Sequence, residues 1–137
     1  APVFALLQMP SLTKVFHAAR QDIEIFYLLS DAMPTPIFDT QVAAAVCGYG
    51  ESVSYETLVN RIVGAELDKS SRYTDWSARP LSEKQLHYAL SDVTHLRVIY
   101  DTLSAQIEKA GRGAWTQEEH ALLCDPGIYR IDPRDAW

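Results

Sequence analysis

The spacing of apolar and polar positions divides the chain into short strands and helices of very unequal length. Residues 1–13 are apolar and broken by proline, which predicts the end of a helix followed by a loop. Residues 13–19 carry β-branched and aromatic side chains near their centre and read as a buried strand. Residues 20–30 read as a helix in which Ile23, Phe26 and Tyr27 share one face, while Leu28 and Leu29 extend its apolar side. Pro34 and Pro36 interrupt the pattern, and residues 36–40 form a second short strand. Asp39 or Thr40 can cap a helix over residues 41–47, stopped by Gly48 and Gly50. Ser54 can cap another over residues 55–63, closed by Gly64 in a left-handed conformation.

Residues 65–80 are largely polar and without period, a long connection of the kind that often carries function. A long helix follows. Ser82 and Gln85 form a capping box, and Leu86, Ala89, Leu90, Val93, Leu96, Tyr100, Leu103 and Ile107 continue at helical spacing as a core stripe toward Gly111. At 1.5 Å per residue this helix is roughly 40 Å long. Thr116 and Glu119 suggest a second capping box, opening a short helix that Pro126 stops. The tail to Trp137 has few apolar residues and reads as a linker.

Composition narrows the class. With 47% hydrophobic and 22% charged residues in 137, the chain is an ordinary globular domain long enough to bury a core without disulfides. Cys47 and Cys124 are far apart and form no paired motif, which fits a reducing, cytoplasmic setting and leaves no all-cysteine zinc site. No apolar run is long enough for a membrane span, and the N-terminus lacks the basic flank of a signal peptide. It also lacks an initiator methionine, so the chain is expected to begin inside a longer protein. A net charge of −6 excludes a simple electrostatic clamp for nucleic acid. It leaves room for an enzyme whose carboxylates hold the cations that meet phosphate.

Two features carry candidate chemistry. Tyr88 and Asp92 lie four apart, so they stack on one helix face about 6 Å apart along the axis. A phenol there can orient a water while the carboxylate holds a metal, although spacing alone favours a plain amphipathic helix. Asp22 sits in the first turn of the helix after the first strand, where the helix dipole favours an acid in any case. From two helices, Asp22 and Asp92 could share a magnesium ion, which takes only one or two protein carboxylates.

At this point the motifs resemble a known family. Residues 14–26, from Lys14 through His17 and Asp22 to Phe26, resemble the second exonuclease motif of ribonuclease D. Residues 36–41, followed by an alanine-rich helix and Gly48-Tyr49-Gly50, are similar to its next segment. Leu67-Asp68-Lys69-Ser70 with Thr74-Asp75-Trp76-Ser77-Ala78-Arg79-Pro80-Leu81 is similar to its most distinctive signature, and Tyr88 with Asp92 matches its third motif. The likeness runs from about residue 10 to 110 in order.

The resemblance implies an α/β, ribonuclease-H-like 3′–5′ exonuclease domain of the DEDD superfamily, tyrosine subclass, N-terminally truncated and therefore mostly helical. It implies residues 1–113 as a partial exonuclease domain and residues 114–137 as the linker toward a helical RNA-binding domain. It further implies trimming of RNA 3′ ends, such as tRNA precursors, with Mg2+ or Mn2+ in a two-ion site. Asp22 and Asp92 would be metal ligands, and Tyr88 would position the attacking water. The family's first motif, an Asp-x-Glu, is expected upstream of residue 1, so this piece alone is expected to be inactive. His17, Lys69, Arg72 and Trp76 are candidate RNA contacts. A structural histidine, a solvated loop and a packed loop anchor are the respective plain readings, and Arg79 belongs with the loop cations. A truncated sheet would also leave an edge open to self-association. Two alternatives stand beside this reading: a DNA exonuclease of the same superfamily, and a non-catalytic helical module that binds RNA or protein.

Overall fold

The computed structural model describes residues 2–67 and 69–130. Their order is α1 (Pro2–Gln8), β1 (Lys14–Phe16), α2 (Arg20–Ser30), β2 (Ile37–Asp39), α3 (Thr40–Val46), α4 (Tyr55–Leu58), a π-helical turn (Val59–Val63), α5 (Glu83–Ala110), α6 (Gly113–Leu123) and a 3-10 turn (Pro126–Ile128). β1 and β2 are parallel, with Lys14 opposite Ile37, Val15 opposite Phe38 and Phe16 opposite Asp39. The helix α2 makes the crossover that a parallel pair requires. The fold is thus α/β and mostly helical, as expected. No helix among the described residues is long and apolar enough to cross a membrane.

Asp39 holds the centre. It is 2% exposed, and its carboxylate accepts three backbone N–H groups: Ala18 (3.0 Å) and Gln41 (2.9 Å) on Oδ1, and Ala19 (2.8 Å) on Oδ2. The bond to Gln41 caps α3, as the sequence suggests. The other two fix the chain as it enters α2, where Ala19 has no side-chain cap of its own and Ala18 adopts a φ of 56°. The N–H of Asp39 donates to Nε2 of buried His120 on α6 (3.0 Å), so that ring is neutral with its proton on Nδ1. Lys14 is buried too, and its amine donates to the carbonyls of Met9, Leu12 and Thr35, each at 2.7 Å.

Two apolar clusters flank the sheet. Ala43 and Ala44 of α3 pack with Leu58, Val59 and the α5 face of Ile99, Leu103 and Ile107. Ala19, Ile23 and Tyr27 pack with Ile37 and Tyr129. The second cluster reaches into the C-terminal segment. Tyr129 is 5% exposed and its hydroxyl donates to the Leu123 carbonyl (2.7 Å), and Thr116 and His120 of α6 are buried. Residues 131–137 lie outside the described residues.

Three expectations give way. The stripe on α5 is core only in its C-terminal half, since Leu86, Leu90 and Val93 are exposed. The reason is length: α5 has 28 residues and α3 only seven, so the longer helix overruns what it packs against. On α2, Leu28 and Leu29 are likewise exposed, and burial is confined to Ile23 and Tyr27. The second capping box does not form. Gly111 reverses the chain with a φ of 67°, α6 starts at once at Gly113, and the Thr116 hydroxyl bonds back to the Arg112 carbonyl (3.1 Å). The first capping box is present, Gly64 is left-handed as expected, and Gly111, which ends α5 as expected, is left-handed as well. The helix foreseen over residues 55–63 is α-helical for one turn and then widens into the π turn.

Two predictions follow from the Asp39 hub. Replacing Asp39 with Ala orphans three backbone donors, of which the Ala19 N–H is buried, and should cost about 3–5 kcal/mol, on the scale of lost bonds to a charged acceptor. Asp39→Asn keeps Oδ1 and should cost clearly less; urea midpoints give the order. The second concerns acid. Burial lowers the pKa of both His17 and His120. A depressed histidine stabilises the fold fully above its unfolded pKa of about 6.5, and that stability is lost as pH falls. The melting temperature should therefore drop between pH 7.5 and 5, and drop less in His120→Gln, whose amide oxygen accepts without titrating.

Candidate active site

Tyr88 and Asp92 lie on successive turns of α5, and both line a cavity of about 270 Å³ shared with Tyr55, Glu56, Lys69 and Arg72. One pocket thus holds two phenols, two carboxylates and two cations, among them the sequence candidates Tyr88, Asp92, Lys69 and Arg72. α5 is held there by its cap. The Gln85 side chain completes the capping box and also donates to the Thr74 hydroxyl (3.0 Å) and the Asp75 carbonyl (3.1 Å), tying the long connection to the helix start. Trp76 packs its ring on Tyr88, with centroids 5.7 Å apart, and its Nε1 donates to the Arg72 carbonyl (3.4 Å). It is half-buried against the tyrosine and outside both core clusters.

The loop cations differ in their commitments. Lys69 pairs with Glu56. Arg72 lies over the ring of Tyr73, which is 90% exposed. Arg79 donates to the carbonyls of Trp76 and Ala78 (2.8 Å each) and so braces its own loop. Asp68 of the same motif lies outside the described residues.

Asp22 stands apart from this pocket, in the first turn of α2. Its carboxyl is shifted upward by partial desolvation and by the nearby Asp39 carboxylate, while that of Asp92 is shifted upward by desolvation and lowered somewhat by His95. Neither is moved by the other. Both are poised to gain from a cation, which reverses the desolvation cost of an unpaired carboxylate. Among the described residues no three His, Cys, Asp or Glu side chains converge on a point that a metal could occupy. Asp22 and Asp92 each have the donor chemistry a divalent ion takes, but the described residues complete no donor set around either.

His17 is turned inward. Its Nε2 faces the Val53 carbonyl (3.1 Å), and its Nδ1 meets the Thr40 hydroxyl (2.9 Å), which also lies 3.1 Å from the Phe16 carbonyl. With both ring nitrogens engaged, the plain structural role describes it. Its ring also packs on Tyr55, 5.6 Å between centroids, and the Tyr55 hydroxyl donates to the backbone carbonyl of Asp92 at 2.5 Å. Burial and the Asp92 carboxylate push the pKa of that phenol up to about 12, so it stays a donor. The sequence gives no hint of this contact: Tyr55 reads only as the first residue after a Ser54 cap.

Known proteins resemble the chain over nearly all of its length. A family model described as 3′-5′ exonuclease matches residues 2–108. Ribonuclease D of Jannaschia sp. is 56% identical over 136 residues, covering 99% of this chain and 35% of its own length. That of Acidiphilium cryptum is 55% identical over 137 residues, with 100% and 35% covered. Escherichia coli RNase D, an exoribonuclease involved in structured RNA processing, superposes with a TM-score of 0.89 at 38% identity, over 99% of this chain and 36% of that one. Brucella melitensis NrnC with bound Mg2+ gives a TM-score of 0.78 at 27% identity, over 90% of this chain and 60% of that one. The chain spans about 35% of the length of the curated relatives it matches. By the extent of the family match and by its likeness to ribonuclease D in both sequence and fold, the chain belongs to the 3′–5′ exonuclease family.

Proposed function

We propose that this chain is the part of a ribonuclease D-type 3′–5′ exoribonuclease that carries two of its carboxylates and its tyrosine. The observation that carries this reading is the shared pocket of Tyr88, Asp92, Lys69 and Arg72. Asp22 and Asp92 would hold divalent cations, Mg2+ or Mn2+, together with an Asp-x-Glu supplied from upstream. Such ions would supply charge neutralisation at the phosphate and activation of the attacking water. Tyr88 aims its hydroxyl at the water that attacks the terminal phosphodiester. The ring of Trp76 restricts how far that phenol can swing. Lys69 and Arg72 meet RNA phosphates once Lys69 exchanges Glu56 for an anion.

The substrates on this reading are RNA 3′ ends, including tRNA precursors, and the setting is cytoplasmic. Residues 1–113 belong to the nuclease domain, and the packed segment after them leads toward a helical RNA-binding domain. The free side of β1, which pairs with β2 alone among the described residues, takes the upstream strand; in the isolated chain it is open to self-association.

Two experiments test the proposal. The isolated chain should show negligible metal-dependent cleavage, because half of the metal donors are elsewhere. The assay is a 3′-end ladder on labelled single-stranded RNA with Mg2+ and again with Mn2+. A ladder that vanishes on Asp92→Asn would mean that two carboxylates suffice. In the full-length gene product, Tyr88→Phe should lower kcat about 10²-fold, on the scale of general acid–base contributions. Its melting temperature should stay within a few degrees of wild type. Asp22→Asn and Asp92→Asn should also raise the Mg2+ concentration needed for half activity. Normal cleavage by Tyr88→Phe with an earlier melt would make the tyrosine a packing residue.

A further inference from the structure

A metal site shared by Asp22 and Asp92 draws on two elements whose buried faces lie in different clusters. Asp22 is on α2 and Asp92 on α5, and burial of α2 runs to the sheet and Tyr129. The stretch of α5 that bears Asp92 is weakly restrained as well. Leu86, Leu90 and Val93 stand exposed on that half, and between Gln85 at the helix start and Ile99 no residue of α5 is fully buried. Something must fix how far α5 is turned about its axis at residue 92. The Cα atoms of a helix lie about 2.3 Å from its axis and a carboxylate extends roughly twice that far again. A rotation of about 15° would carry the carboxyl oxygens on the order of 1.5 Å, beyond the tolerance of roughly 0.5 Å for a productive site.

Tyr55 spans this gap. Its ring rests on His17, five residues before Asp22 in the segment that follows β1. Its hydroxyl donates to the carbonyl of Asp92 itself (2.5 Å). The phenol therefore holds the backbone of the candidate metal ligand directly. His17 is held in turn by Thr40 and Val53, so the strut is anchored at both ends.

We propose that Tyr55 is a positioning residue for catalysis, a strut that sets the rotation of α5 and so aims the Asp92 carboxylate at the metal. The proposal rests on the exonuclease reading above. Tyr55→Phe in the full-length gene product removes the hydroxyl and keeps the ring on His17. At saturating RNA and well below both melting temperatures, it should lower kcat about tenfold and raise the Mg2+ concentration for half activity several-fold. The KM for RNA should be unchanged, and melting should fall by no more than a few degrees. A kcat and Mg2+ dependence equal to wild type would overturn the proposal. So would a loss of kcat that tracks loss of folded protein with the Mg2+ dependence unmoved. Wild type and Asp92→Asn, assayed alongside, separate the two claims. A wild type without metal-dependent cleavage, or an Asp92→Asn variant as active as wild type, sinks the exonuclease reading and the strut with it. An active wild type, a dead Asp92→Asn and an unaffected Tyr55→Phe sink the strut alone.

Discussion

The fold turns on one buried carboxylate. Asp39 ends β2, caps α3, closes the entry to α2 through Ala18 and Ala19, and presents its own amide to His120 of α6. Four elements thus meet at one residue that is almost wholly out of solvent. An uncompensated charge in such a place would be prohibitive, and three short N–H bonds are what makes it tolerable. The cost of the arrangement appears at Asp22, whose carboxyl is pushed upward partly by this neighbour. The charge that organises the fold therefore also raises the demand for a cation next to it.

Local chemistry was readable in the sequence wherever a single residue decides the matter. The Ser82–Gln85 box, the left-handed Gly64 and the boundaries of α2 all follow from short-range geometry, and the structure has them. What the sequence did not show depends on partners far away along the chain. Leu86 and Val93 have the spacing of a core stripe, but periodicity cannot tell whether anything lies opposite them. Thr116 has the form of a cap, but the reversal at Gly111 starts the helix before the cap is needed. Tyr129 looks isolated in a polar tail, yet its neighbours are Tyr27 and Ile37, contributed from the other end of the chain.

The candidate site divides in the same way. Spacing puts Tyr88 and Asp92 on one helix face and the motif resemblance singles them out, while the pocket that unites them with Lys69 and Arg72 is a product of the long connection folding back on α5. Gln85 does two jobs there, since one amide both finishes a helix cap and fastens the loop. Tyr55 was invisible because its role lies in a hydroxyl reaching a backbone carbonyl 37 residues away, and no pattern of side-chain types encodes that.

The carbonyl cradle around Lys14 has a consequence of its own. Its ammonium group has three donors, and three carbonyl oxygens at equal distance use all of them. Such an amine behaves less like a surface lysine than like a captive cation in a small cage. It has no lone pair to offer an acylating reagent unless the turn at residues 9–12 first opens. A guanidinium, flat and forked, matches a three-point cradle poorly. The lysine beside the exonuclease motif is therefore a rivet between the first helix and the sheet, and its chemical silence would report that the rivet is closed.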